Sequence, residues 1–184
     1  MGTQKLLLPV DGASLLERAL HAAAGYETVA VLAPSLAARV APRPGLTVTI
    51  NAEPERGMTR SLALADAAVA DREAALAVLL ADTPFVTGGL LATVAAALGD
   101  ADVAFPVRAG RPGHPVVFGP RPRAELAGWP EGDSLRTLRD DPRWRRVTVH
   151  VDDDAPFLDV DSPADLELAR ERGALEPRAR SPGS

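Results

Sequence analysis

Apolar and polar positions in this chain alternate between two periods. Residues 28–32 and 46–50 are β-rich runs, and residues 78–80 are an apolar run leading straight to Asp82, with Pro84 two places on. Residues 103–107, 116–118, 147–151 and 157–160 are further strand candidates. Helical signals lie between them. Ser14-Leu15-Leu16-Glu17 is a capping box opening a helix that buries Leu16, Ala19, Leu20 and Ala23 and stops at Gly25. Pro34 and Ser35 open a short helix that residues 42–45 break, and Met58, Leu62, Ala65 and Val69 recur at helical spacing. Thr87 caps a helix reaching Leu98 before Gly99, and Ser162 with Pro163 starts the last one. Residues 5–12 carry a proline that would spoil a central strand, so they read as a loop or edge strand. The alternation predicts an α/β fold of parallel strands joined by right-handed crossovers, with helices on both faces.

Length changes the picture only by setting its scale. A chain of 184 residues, 46% hydrophobic, supports one well-buried domain. Its expected extent is 1–173, with 174–184 as a flexible C-terminal tail. Beyond residue 108 the regularity loosens into a Gly- and Pro-rich stretch of the kind that shapes a substrate pocket. No internal repeat is present.

Charge narrows the partners. The 20 Lys and Arg residues are spread along a chain of net charge −5, so there is no basic stripe for nucleic acid. Cysteine is absent, which removes disulfides, thiolate nucleophiles and Cys-based zinc sites. No apolar run approaches a membrane span, and the N-terminus lacks the regions of a signal peptide, so a cytoplasmic protein with no membrane partner is the expectation.

The candidate chemistry centres on Asp82. Open α/β sheets keep their ligands at the carboxyl ends of strands. An acid before x-Pro can equally bond its own backbone, and position alone leaves Asp82 as a metal ligand or a turn residue. The triplet Asp152-Asp153-Asp154 reads as a solvated turn.

Five pieces in order carry a resemblance. They are Lys5-Leu6-Leu7-Leu8-Pro9 with Gly12; Asn51 with Gly57 and Ser61-Leu62; Ala81-Asp82-Thr83-Pro84; Gly113-His114-Pro115-Val116; and Asp159-Val160-Asp161-Ser162-Pro163 followed by Asp165-Leu166. From residue 2 to about residue 170 the chain resembles the nucleotidyltransferases of molybdenum cofactor synthesis, the MobA-like family. The Gly-His-Pro-Val piece leans toward the cytidylyltransferase branch.

The resemblance implies a Rossmann-like, glycosyltransferase-A-type, mostly parallel sheet binding a nucleoside triphosphate, CTP or GTP, with Mg2+. The terminal phosphate of a pterin-like acceptor, molybdopterin, would attack the α-phosphate and expel pyrophosphate. Such transfers need positioning and charge neutralisation more than covalent help. Lys5 and Asp82 would be the catalytic pair, Lys5 against the triphosphate and Asp82 with Asp161 holding the metal. Asn51, Gly57 and Ser61 would approach the nucleoside or its phosphates. Gly113, His114 and Pro115 would meet the acceptor, His114 by positioning. A molybdoenzyme or its chaperone would be the protein partner.

Bland readings stand beside these roles: a surface lysine, a turn asparagine, a loop glycine, a helix-surface serine, and an aspartate welcomed by a helix N-terminus. Two alternatives share the fold, a non-catalytic nucleotide- or cofactor-binding module and a guanylyltransferase acting on a phosphorylated organic acid. No G-x-G-x-x-G follows a strand, which disfavours a dinucleotide-dependent oxidoreductase.

One departure from the family pattern matters. Met1-Gly2 stand where the family's Gly-rich, arginine-containing loop ends, so its first strand and most of that loop have no counterpart in this sequence. The expectation is a true start further upstream. The alternatives are a degenerate member, or a slide of residues 6–10 into the central strand position, against which Pro9 argues.

Overall fold

A computed structural model describes residues 3–71, 73–130 and 134–175. A 3-10 turn, Thr3–Leu7, leads into the short antiparallel pair β1 (Pro9–Val10) and β2 (Ala13–Ser14), whose turn places Asp11 and Gly12 at φ 46 and 81°. Helix α1 (Leu15–Ala22) starts on the expected capping box: Ser14 Oγ accepts from the Glu17 amide and the Glu17 carboxylate from the Ser14 amide. Strand β3 (Thr28–Leu32), helix α2 (Pro34–Ala37) and strand β4 (Leu46–Ile50) follow, with β3 and β4 parallel and in register from Thr28 opposite Leu46.

Helix α3 (Met58–Ala68), strand β5 (Leu76–Val78), helix α4 (Gly88–Ala97) and strands β6 (Val103–Arg108), β7 (Arg111–Pro112) and β8 (Val116–Phe118) come next. They are followed by helices α5 (Pro120–Glu125) and α6 (Leu135–Asp140), strand β9 (Arg146–His150) and helix α7 (Pro163–Leu175). Thr87 Oγ1 accepts from the Leu90 amide to cap α4.

The α/β class holds, with a mixed five-stranded sheet beside the β1–β2 and β3–β4 pairs. Its order is β5-β8-β6-β7, with β9 parallel to β6. Strands β7 and β8 run antiparallel to β6 because residues 109–115 are too few for the crossover that a parallel return requires. The side chains of β6 explain its depth. Val103 and Phe105 face one layer with Leu62, Leu126, Leu135, Leu138 and Trp144, whereas Ala104 faces Val94 of α4 and its C-cap Leu98 on the other. Helices therefore cover both faces, and residues 103–107 of β6 are a continuous apolar run.

Among the described residues, no ladder joins β3 to β5. Residues 6–10 do not supply one, since they form the 3-10 turn and β1. Leu6 and Leu7 instead pack as a wedge against Leu16, Leu20, Ala30 and Leu32, while Leu6 and Leu8 pack against Val10, Leu15, Phe85 and Val160.

Four expectations are corrected. Strand β5 ends at Val78, so Asp82 stands in a turn beyond it. Residues 157–160 are no strand: a 3-10 turn, Ala155–Phe157, contains Pro156, which cannot donate to a ladder. The buried face of α3 is Thr59, Leu62 and Asp66, with Met58 exposed, because Arg123 of α5 is buried against Asp66 (Nε to Oδ1, 2.7 Å). Helix α7 continues past Gly173 to Leu175, and the rest of the expected tail, 176–184, lies outside the described residues. Among the described residues, no helix is long and apolar enough to cross a membrane.

Candidate functional site

Three segments distant in sequence meet beyond the end of β5. The turn after β5 closes on itself, with Thr83 Oγ1 donating to the Leu80 carbonyl (2.8 Å). It is tied to the segment before α7 by the Val160 amide, which donates to the Asp82 carbonyl (2.9 Å). That single bond sets Asp82 beside Asp161. Asp161 is held in turn where Asp165 accepts from the Asp161 and Ser162 amides (3.2 and 2.7 Å), the capping arrangement of α7.

Lys5 completes the cluster. Its Nζ donates to Asp82 Oδ2 (3.0 Å) and Asp161 Oδ1 (2.8 Å). Burial pulls the ammonium pKa down, but its hydrogen bonds to Asp161 and Asp82 and their charges outweigh it and hold Lys5 above its ordinary value. The Lys5 side chain is 18% exposed, Asp82 26% and Asp161 73%, so the cluster runs from half-buried to open water.

A cleft of about 820 Å³ opens over these acids. Gly113 and His114 line it, from the connection between β7 and β8. A Cβ on Gly113 would overlap the Phe157 ring, so only glycine permits that approach. His114 Nδ1 lies 3.3 Å from the Val78 carbonyl; burial depresses its pKa and the Val78 contact only partly offsets that. The ring is therefore neutral at neutral pH, with Nδ1–H donating.

The other expected residues sit apart from this cluster. Asn51 is 1% exposed; its amide donates to the Leu32 carbonyl (2.8 Å), its Oδ1 accepts from the Glu53 amide (2.9 Å), and its Nδ2 donates to Ser61 Oγ (3.0 Å). This is an Asx turn pinning the β4–α3 connection to the helix. Gly57, at φ 90°, precedes α3 in a conformation that disfavours side chains, and the next residue, Met58, lines the cleft. Pro115 follows the cis His114–Pro115 peptide. The triplet 152–154 is tied by Arg172 to Asp153 (2.6 Å) and Asp154 (2.5 Å).

Sequence reasoning passed over the cleft's remaining charges. Asp159 stands between Arg111 (3.5 Å) and the paired acids; burial and the charge of Asp82 push its pKa up, with Arg111 opposing. Arg136 and Arg139, on α6, also line the cleft. Arg139 is committed, bonding Asp140 through Nε and Nη2 (2.8 and 2.7 Å) and lying over the Phe105 ring. Asp159 was findable, because residues 159 and 161 fall on one side of an extended segment. The two arginines are legible only as one turn of a short helix, a pattern that surface helices share.

The profile of the MobA-like NTP transferase domain matches residues 1–149 of the 184. This chain belongs to that family. It is accordingly a nucleotidyltransferase with a nucleoside triphosphate as substrate. Solved structures of the same shape include Rv0371c from Mycobacterium tuberculosis H37Rv, 26% identical, covering 93% of this chain and 90% of that one at a TM-score of 0.80. A manganese complex of that protein is 26% identical, covers 92% and 93%, and has a TM-score of 0.78. The molybdopterin-guanine dinucleotide biosynthesis protein A of Archaeoglobus fulgidus shares the fold at 19% identity, 94% and 92% coverage and a TM-score of 0.66. A search of curated proteins found no match.

The donor set suits a hard divalent cation. The Lys5 ammonium already stands at a cationic position between two carboxylates, and each carboxylate keeps a second oxygen. Among the described residues, no group of three or more His, Cys, Asp or Glu side chains is arranged to hold a metal. Two carboxylates plus phosphate oxygens and waters are what Mg2+ or Mn2+ takes at such sites.

Proposed function

We propose that this chain transfers a nucleoside monophosphate from CTP or GTP to a phosphorylated small molecule, with molybdopterin as the acceptor and a divalent cation held by Asp82 and Asp161. The observation that carries this reading is the junction of Lys5, Asp82 and Asp161 at the end of β5, beneath a cleft of about 820 Å³. That volume suits a nucleotide-sized ligand. Membership of the family supports the donor, the manganese complex of Rv0371c supports the cation, and the Archaeoglobus protein supports the acceptor.

Each group has work in that reaction. Bound metal supplies neutralisation of the charge that grows on the phosphates as pyrophosphate leaves. Lys5 turns its ammonium from the acids to the triphosphate, a compact charge for the leaving oxygens. Gly113 lets the acceptor loop close on Phe157, while neutral His114 orients that loop without moving a proton, since the attacking phosphate is already an anion. Asn51, Gly57 and Ser61 hold the β4–α3 connection that borders the nucleoside. One domain carries the whole site.

Calorimetry with CTP and GTP, each with Mg2+ or Mn2+, tests the donor, and pyrophosphate release on adding molybdopterin tests the transfer. Asp82→Asn is expected to cut turnover at least a hundredfold, the order seen when one electrostatic partner of a transition state is removed. Unchanged turnover in Asp82→Asn, or no triphosphate binding with either metal, would overturn the reading.

A further inference from the structure

The cleft is lined by charges of both signs. Asp82, Asp140, Asp159 and Asp161 share it with Arg111, Arg136 and Arg139. Arg139 is spent on Asp140, so it lends charge without offering a free fork. Arg111 is different. Its guanidinium is 64% exposed, lines the cleft and touches Asp159 at 3.5 Å, too long for a strong hydrogen bond. Arg136 is exposed at the same cleft and makes no ion pair among the described residues.

Position adds a constraint. Asp159 is two residues from Asp161, and both line this cleft with Asp82. Arg111, paired with Asp159 at 3.5 Å, is therefore tied to the same segment as Asp161. A group bound on Arg111 would lie next to the phosphates those acids organise, which is where an attacking oxygen has to be. The planar guanidinium fork matches the oxygens of a phosphoryl group in pairs, as a lysine would not.

We propose that Arg111 and Arg136 form the acceptor anchor, gripping the phosphoryl group that attacks the nucleotide, with Asp159 aiming Arg111. The anchor makes this cleft selective for phosphorylated acceptors over alcohols of the same shape. It rests on the nucleotidyl-transfer reading for what happens next, but binding itself does not require turnover.

Inorganic phosphate is the probe, titrated by calorimetry into the full chain saturated with CTP and Mn2+ so that the triphosphate subsite is filled. Wild type is expected to bind phosphate. Arg111→Met and Arg136→Met are each expected to weaken it at least tenfold while changing CTP affinity less than about twofold, with melting temperatures unchanged because both side chains are exposed. Arg170→Met, on α7 and paired with Glu167, is the control expected to leave phosphate affinity alone. Asp159→Asn is expected to weaken phosphate binding less than Arg111→Met, because it frees the guanidinium rather than removing it. Absence of phosphate binding to wild type, or affinity within twofold of wild type in the Arg111→Met, Arg136→Met double variant, would overturn the anchor. So would a loss confined to CTP, which would put the arginines on the triphosphate. If CTP itself fails to bind, the nucleotidyl-transfer reading fails, and the phosphate titration on the unliganded chain still decides the anchor by the same comparison.

Discussion

Lys5→Met tests the idea that an internal ammonium stands in for the metal. The two carboxylate oxygens sit 3.0 and 2.8 Å from one nitrogen, so they are at most about 6 Å apart. Like charges at that distance repel by about 3 kcal/mol at an effective dielectric near 20. Asp161 is 73% exposed, and solvent screening reduces the effective figure to about 1 kcal/mol. Removing the ammonium should therefore destabilise the protein by about 1 kcal/mol, a fall of about 2–4 °C in Tm for a chain of this size. The same repulsion is relieved when Mn2+ binds, so Mn2+ alone should bind Lys5→Met about fivefold to tenfold more tightly than wild type. Nucleotide binding should move the other way, because the triphosphate loses its cationic contact. Thermal scans with and without MnCl2 and direct Mn2+ titration measure both quantities. If Mn2+ binds the variant no better than wild type, the two acids do not form a cation site that Lys5 occupies, and the metal assignment loses its geometric support.

Other changes reach other links of the argument. Gly113→Ala forces a methyl group into the buried Phe157 ring, and overpacking of this kind costs about 1–3 kcal/mol, measurable by urea unfolding, together with weaker acceptor binding. His114 has a folded pKa below its usual 6.5, so the unfolded chain takes up more protons as pH falls under that value; stability is full above about pH 6.5 and drops toward the depressed pKa. In His114→Gln, unfolding free energy measured from pH 7 to 5 should lose that part of its slope. Arg123 is 1% exposed and bonds Asp66 as well as the Asp71 and Ala74 carbonyls at 2.6 Å, so Arg123→Met takes a buried charge-assisted bond from Asp66 and the arginine donor from two carbonyls. A loss of about 3–5 kcal/mol in chemical denaturation is expected.

Local chemistry alone was enough to place most elements in this chain. The Ser14–Glu17 capping box, the Thr87 cap, the strands at 28–32 and 46–50 and the last helix behind Ser162 and Pro163 depend on neighbours within a few residues, so period and cap chemistry were sufficient. The motif pieces also carried the family, and the profile match spans Lys5, Asp82 and the Gly113–Val116 piece in one chain.

Tertiary structure decided whatever depended on residues remote in sequence. Asp82 and Lys5 are 77 positions apart, and only the Val160–Asp82 bond and the leucine wedge behind Lys5 bring both to Asp161. The inward turn of Asp66 depended on Arg123, 57 residues away, and overrode the helix face that periodicity favoured. Asn51 and Ser61 met through a side-chain bond ten residues long in sequence, invisible to any pattern of burial. The arginines of the cleft came together only when β7 and α6 were brought to one cavity with the acids. Sequence records propensities and spacings, whereas the sign of charge across a cleft exists only once the chain has closed around it.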